Sequence, residues 1–266
     1  MKKIIYITGS ASIVLLVVMF YFNSVSSNTS NDLPVDKIQD FNQSLNQNGN
    51  NQSSFSPQSG GWQLQVMPNM GNRLVRDLYF TDSLTGYAVA SPNSYTDSAH
   101  ILKTTNGGNN WIIKYTKEGK LNRVIFLNSQ IGFAGGDFLL KTTNSGENWM
   151  VWNWSFSRAV DDMQVFSEDT IWYAYSDPTS GGLFRTTNGG LNWEKRDSGI
   201  PANSYPDKIY FYNSRIGFAC QLGNPSTYKT TDGGLTWNSV FSGSFTKLQF
   251  QDSLNGYRAA GSFFRT

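Results

Sequence analysis

Thr104-Thr-Asn-Gly-Gly-Asn-Asn-Trp111 recurs along the chain as Thr142-Thr-Asn-Ser-Gly-Glu-Asn-Trp149, Thr186-Thr-Asn-Gly-Gly-Leu-Asn-Trp193 and Thr230-Thr-Asp-Gly-Gly-Leu-Thr-Trp237. A fifth copy begins at Arg265-Thr266. The tryptophans stand 38, 44 and 44 residues apart. A period of that length, with room for four short strands per unit, is the signature of sheets repeated radially in a β-propeller.

A second motif precedes each tryptophan. It reads Asp77-Leu-Tyr-Phe-Thr-Asp-Ser-Leu-Thr-Gly-Tyr-Ala-Val-Ala90 in the first unit and Val124-Ile-Phe-Leu-Asn-Ser-Gln-Ile-Gly-Phe-Ala134 in the second. Later copies run from Met163 to Ala174, Ile209 to Ala219 and Leu248 to Ala259, the third placing Trp172 where the others have Gly. An apolar run, an Asp/Asn-Ser turn and a Gly-aromatic-Ala run make a hairpin of strands one and two, because short polar side chains bond the turn backbone. Strand three is the apolar run ending in Lys103, Lys141, Arg185 or Lys229, and the Gly pair that follows supplies positive φ for a tight turn. Asn106, Asn144, Asn188 and Asp232 are expected to cap that turn. Trp111, Trp149, Trp193 and Trp237 are expected to pack between blades, each hiding roughly 150–250 Å².

The unit Ser/Thr-x-Asp-x-Gly-x-x-Trp resembles the Asp-box repeat of bacterial neuraminidases. Thr230 to Trp237 matches it fully, and the other three copies carry Asn in the Asp position. Together with the preceding hairpin, the pattern is similar to the photosystem II assembly factor (Ycf48-like) propellers over residues 62–266. The resemblance implies an all-β propeller of four-stranded antiparallel blades. It implies little about activity, since Asp boxes occur in hydrolases, sorting receptors and scaffolds.

Five blades are expected. The last has strands one to three within about residues 246–266, and Ser59-Gly-Gly-Trp-Gln-Leu-Gln-Val66 reads as its outer strand, with Trp62 in the tryptophan role. Such a clasp removes a free edge. The alternative is that these blades are part of a larger propeller. Residues 61–266 therefore form the propeller, residues 28–60 a polar Asn/Gln/Ser-rich linker, and residues 1–27 a signal peptide or N-terminal membrane anchor. Lys2-Lys3 precede an apolar stretch reaching Phe22, which places the body outside the cytoplasm.

The chain of 266 residues carries 21 Lys+Arg against 19 Asp+Glu, so without Lys2 and Lys3 the charges balance. That balance excludes nucleic-acid binding of the electrostatic kind, and membrane contact is expected only through the N-terminal segment. A lone cysteine, Cys220, excludes an intrachain disulfide and reads as a buried apolar thiol. A lone histidine, His100, excludes a multi-histidine metal site and leaves little for Ser-His-acid catalysis. No P-loop, dinucleotide-binding or EF-hand pattern is present, and no cofactor or metal is expected. The Phe/Tyr-Arg-Ile-Pro motif of sialidases is absent, and Phe184-Arg185 and Phe264-Arg265 belong to the repeat. The chain thus reads as non-catalytic, with a glycan-binding or sialidase-like propeller as the alternative.

The turns of the repeat share one end of the blades. The variable loops gather at the other end, where recognition on a rigid scaffold usually resides. They include Ser91 to Asp97, Asp177 to Gly182 and Gly223 to Tyr228. Trp152, Trp154 and Phe156 alternate after the second blade, a spacing that puts them on one side of a strand. Packing between blades explains them; an aromatic anchor for a protein or sugar partner is the sharper reading, joined by Arg158, Tyr95, Tyr205 and Tyr228. The expected partner is a protein of the envelope or extracellular space, with a glycan as the second choice.

Overall fold

The computed structural model describes residues 5–6, 63–94, 97–152, 159–222, 226–250, 255–259 and 263–265, and every regular element among them is a strand. Two compact units are distinguished, Met1–Tyr6 with Val14–Leu64 and Ile7–Ile13 with Gln65–Thr266. In the first, β1 (Ile5–Tyr6) pairs in parallel with β2 (Gln63–Leu64). The rest of residues 1–60, read above as export segment and linker, lies outside the described residues.

The second unit contains five antiparallel sheets that follow one another along the chain. The first is β3 (Leu74–Phe80), β4 (Gly86–Ser91), β5 (Ser98–Thr104) and β6 (Ile112–Glu118). The second is β7 (Leu121–Phe126), β8 (Gly132–Gly136), β9 (Leu139–Thr142) and β10 (Met150–Val151). The third is β11 (Asp162–Val165), β12 (Ile171–Tyr175), β13 (Gly182–Thr186) and β14 (Glu194–Lys195). The fourth is β15 (Lys208–Phe211), β16 (Gly217–Cys220), β17 (Ser226–Thr230) and β18 (Asn238–Ser242). The fifth has three strands among the described residues, β19 (Lys247–Phe250), β20 (Gly256–Ala259) and β21 (Phe263–Arg265). This is the β-propeller expected from the repeat. Among the described residues no pairing joins the expected N-terminal clasp to the fifth sheet: Gln63–Leu64 pair with Ile5–Tyr6, and Trp62 lies outside the described residues.

Burial peaks at the second strand of a blade and falls off toward the fourth. Every residue of β4, β8 and β16 is buried, whereas both residues of β10 and of β14 are exposed. A strand covered by neighbouring blades on both faces needs a continuous run of apolar and small residues rather than an alternation. That explains the Gly-aromatic-Ala run. Its Gly has a second cause: a Cβ on Gly86, Gly132 or Gly217 would come within 2.6 Å of Phe80, Phe126 or Phe211, the ring that ends strand one.

The third blade solves the same contact differently. The register opposes Val165 to Ile171 where the other blades oppose Phe to Gly, so two aliphatic side chains replace a ring lying on a glycine. Trp172 therefore does not take the glycine's place, as the sequence comparison suggested. It stands one residue later, level with Tyr87, Phe133 and Phe218.

The recurring turn is built alike four times. Thr104, Thr142, Thr186 and Thr230 each accept the amide of the second turn glycine (Gly108, Gly146, Gly190, Gly234) at 2.9 Å on Oγ1. The side-chain oxygens of Asn106, Asn144, Asn188 and Asp232 each accept an amide four residues on, at 2.9–3.0 Å. The turn then donates an amide to the hairpin of its own blade, Gly107 to the Leu84 carbonyl and Gly233 to that of Arg215, at 2.8 and 2.9 Å. Both turns thus close the same end of each blade. Ser145, in place of the first glycine, is the single non-glycine at positive φ (58°) among the described residues.

The tryptophans join blades as well as fill them. Trp237 donates from Nε1 to the Arg196 carbonyl at 2.9 Å and lies in one cluster with Trp172 of the third blade. Trp149 packs with Tyr87 and Val89 of the first blade. Trp111 meets Phe80 edge-on, and Trp193 meets Tyr173. The second turn glycine presses on the previous blade: a Cβ on Gly146 would lie 2.5 Å from the Tyr87 ring, and one on Gly234 would lie 2.2 Å from that of Trp172.

Candidate functional site

The end of the blades opposite the repeating turns is formed by the loops between strands two and three and by the connections from one blade to the next. Several of its polar groups are bonded in ways peculiar to one blade, although the Ser176 amide's bond to Asp161 in the third blade recurs as the Leu222 amide's bond to Asp207 in the fourth. Arg73 is ion-paired with Asp97 and also donates from Nε to the Ser98 carbonyl. Asp177 accepts the Thr179 and Ser180 amides and both their hydroxyls, which hold its carboxyl far below the usual carboxylate range, the Thr179 hydroxyl contributing most. Asp161 accepts the amide and hydroxyl of Ser176 at 2.7 and 2.8 Å.

Of the residues singled out as an aromatic anchor, Tyr95, Trp154, Phe156 and Arg158 lie outside the described residues. Trp152 is half-buried beside the third hydrophobic cluster, its indole 5.1 Å from the Phe133 ring, with Lys141 Nζ 5.4 Å from its centroid. Tyr205 is half-buried, and its amide donates to Gln221 Oε1 at 3.2 Å. Tyr228 is not on a loop: it lies within β17, buried, with its hydroxyl 3.2 Å from Ser204 Oγ. Tyr228 shares a cluster with Trp172 and Leu183 of the third blade, and Trp152 packs against one that holds both Phe133 and Tyr173, so both side chains lie between blades.

Sequence reading missed a charged set on the axis. Strand one carries a charged residue at one register position in all five blades: Asp77, Arg123, Asp162, Lys208 and Lys247, facing Val89, Gly135, Ala174, Cys220 and Ala259. Arg123 lies 3.1 Å from Asp77 through Nη1 and 2.7 Å from Asp162 through Nε, the latter an ion pair without hydrogen-bond alignment. Both aspartates are buried, and each also accepts an amide of the following blade, Val124 at 3.0 Å and Ile209 at 3.1 Å. Burial opposes the charge on Arg123, but Asp162 and Asp77 together hold its pKa above the ordinary value. Lys247 Nζ reaches Asp77 only at 3.9 Å. The signal was legible, since each of these residues stands three before the residue that ends strand one.

The groups that could serve acid–base chemistry are engaged. Glu147 bonds Lys103 and Lys114 at 2.7 Å each, and those contacts, Lys103's first, pull its carboxyl down to about 2. The cavity beside it, about 320 Å³, is lined by Lys103, Thr105, Asn106, Asn110, Ile112, Lys114 and Glu147. Glu168 pairs with Lys141 and Glu194 with Arg196. His100 lies inside β5, bonded to Thr116 Oγ1 at 2.9 Å; burial, then Arg73, lowers its pKa. Cys220 is buried, and burial pushes its thiol up to about 12. Among the described residues no three His, Cys, Asp or Glu side chains gather as metal ligands.

No family model matches the chain, and no curated protein matches its sequence. Solved structures do. An ancestral GH74 enzyme matches with a TM-score of 0.54 at 17% identity, over 69% of this chain and 27% of that one. The Niastella koreensis GH74 enzyme matches with 0.54 at 16% identity, over 72% and 38%. Ycf48 from Cyanidioschyzon merolae matches with 0.45 at 16% identity, over 74% and 96%. The chain thus spans between about a quarter and two fifths of the GH74 enzymes it resembles. At these identities what is shared is the propeller fold.

Proposed function

We propose that this protein is a non-catalytic scaffold outside the cytoplasm that presents the loop end of its propeller to a protein partner. The observation that carries this reading is the division of labour between the two ends. In each of the four repeated turns the first Thr and the Asn or Asp are bonded within their own blade. Three of the four glutamates, Glu147, Glu168 and Glu194, are paired with cations, Glu147 with two. The loops of the other end differ in length and sequence from blade to blade, and difference between repeats is what recognition requires. The apolar stretch after Lys2-Lys3 supports an extracytoplasmic place, as membrane-tethered or secreted protein. Assistance in assembling an envelope or membrane complex fits this arrangement.

The test is capture from an envelope extract with the full chain as bait, repeated with Tyr205→Ala and Trp152→Ala. A captured protein lost with Tyr205→Ala at unchanged melting temperature supports the loop end as the interface. Hydrolysis of a fluorogenic sialoside or binding to a glycan array, with no protein captured, transfers the assignment to the glycan reading.

A further inference from the structure

The five axial charges follow one another around the propeller as Asp77, Arg123, Asp162, Lys208 and Lys247, two anions and three cations. Opposite charges alternate from the first blade to the fourth. With an odd number of blades alternation cannot close, and the two like neighbours fall at blades four and five. From this break in the alternation we infer that the gap between Lys208 and Lys247 is an anion site on the axis, which takes a single carboxylate group.

Four observations converge on it. The two aspartates are already committed, each to Arg123 and to a backbone amide of the next blade. Lys247 stands 3.9 Å from Asp77, too far for a hydrogen bond, and half of its side-chain surface remains open. The ammonium of Lys208 donates to a neutral partner, the Asp207 carbonyl, at 2.9 Å, and among the described residues no carboxylate lies within ion-pair distance of it. Asp207 itself accepts the Leu222 amide at 2.9 Å, just after β16.

The electrostatics agree. Lys247 lies deep among protein atoms although its side chain is half open, and burial, then the charge of Arg123, lowers its pKa; Lys208 adds to that while Asp77 and Asp162 oppose it. An ammonium held among two other cations gains from any anion that enters. A carboxylate is the group the axis already uses against its own cations. Lys208, Asp162 and Lys247 are the first residues of their strands, so the site opens toward the connections between blades. It stands whether or not the loops bind a protein. Its carboxylate comes either from a free small acid or from a group borne on a chain.

The full chain, titrated at pH 7 with sodium acetate against sodium chloride of equal ionic strength, tests this. The expected result is a saturable rise in melting temperature with acetate beyond that with chloride. Its half-saturation weakens about tenfold in Lys208→Gln and in Lys247→Gln, the loss of one charge-assisted hydrogen bond, and stays unchanged in Lys114→Gln. Ligand-free Lys247→Gln is expected to melt at or above the wild type, because one of two like charges is gone. Ac-Ala-Ala-Ala with a free carboxylate, against its amide, separates the sources: stabilisation by the acid form assigns the site to chain-borne carboxylates, and stabilisation by acetate alone assigns it to free acids. Equal effects of acetate and chloride, a response kept in both variants, or a lower melting temperature of ligand-free Lys247→Gln overturns the inference, the last by making Lys247 a structural partner of Asp77.

Discussion

The turn end of each blade and its axial edge are held together by opposite means. At the turn end, neutral hydrogen bonds over two to four residues repeat four times with nearly the same lengths. On the axis, charges from residues 46 and 39 positions apart meet in blade-specific pairs. The first device makes a blade; the second sets blades beside one another. The hydrogen bonds of the repeated turn thus mark what each unit does for itself, whereas the axial charges that depart from repetition mark pairings particular to one pair of blades.

The sharpest way to break that contrast is on the axis. Arg123→Met leaves Asp77 and Asp162 buried without their shared cation, and a loss of about 3–5 kcal/mol is expected in denaturant unfolding. A loss below 1 kcal/mol would mean that the charges do not bind the blades. Next comes the turn end, at the contact it makes with the preceding blade. Gly234 has φ of +81°, and an added Cβ would meet the buried Trp172 at 2.2 Å, so Gly234→Ala is expected to cost about 2–4 kcal/mol. Unchanged stability there would show that the glycine serves the turn alone.

Smaller effects sharpen the comparison. Ser145 sits where the other turns have glycine, and Ser145→Gly is expected to raise stability by about 0.5–1 kcal/mol, read from the denaturant midpoint. The pH dependence of Glu147 is smaller still. Its folded pKa of about 2 lies below the ordinary 4.5, so its pairs with Lys103 and Lys114 stabilise the fold fully above pH 4.5. That contribution is lost as the pH falls from about 4.5 toward 2. Since Glu147 is half exposed, solvent screening limits it to a few tenths of a kcal/mol, measurable as the difference between wild type and Glu147→Gln unfolded at pH 7 and pH 3.

Most of the fold was legible because its determinants are local. The Thr hydroxyl, the Asn oxygen and the glycine pair act within five residues of one another, so a linear motif carries the whole turn. Blade three was misaligned by one residue because Val165 and Ile171 together replace a Phe–Gly contact, and a compensated pair leaves no trace in either position alone. Tyr228 was misplaced as well. The strand that carries it begins at Ser226, and its polar start, Ser226-Thr227, reads as loop although Thr227 is buried. The axial charges were visible one by one but not as a set, since their meaning depends on a register shared by strands far apart in sequence.

Native-state hydrogen exchange at the amides of Gly108, Gly146, Gly190 and Gly234 tests most directly whether the repeated turns are internal fastenings of the blades. All four are buried donors to a threonine hydroxyl, and exchange through unfolding of the propeller as a whole, indifferent to any bound partner, is the predicted result. Exchange at the rate of an open loop, or protection that changes when a ligand binds, would contradict it.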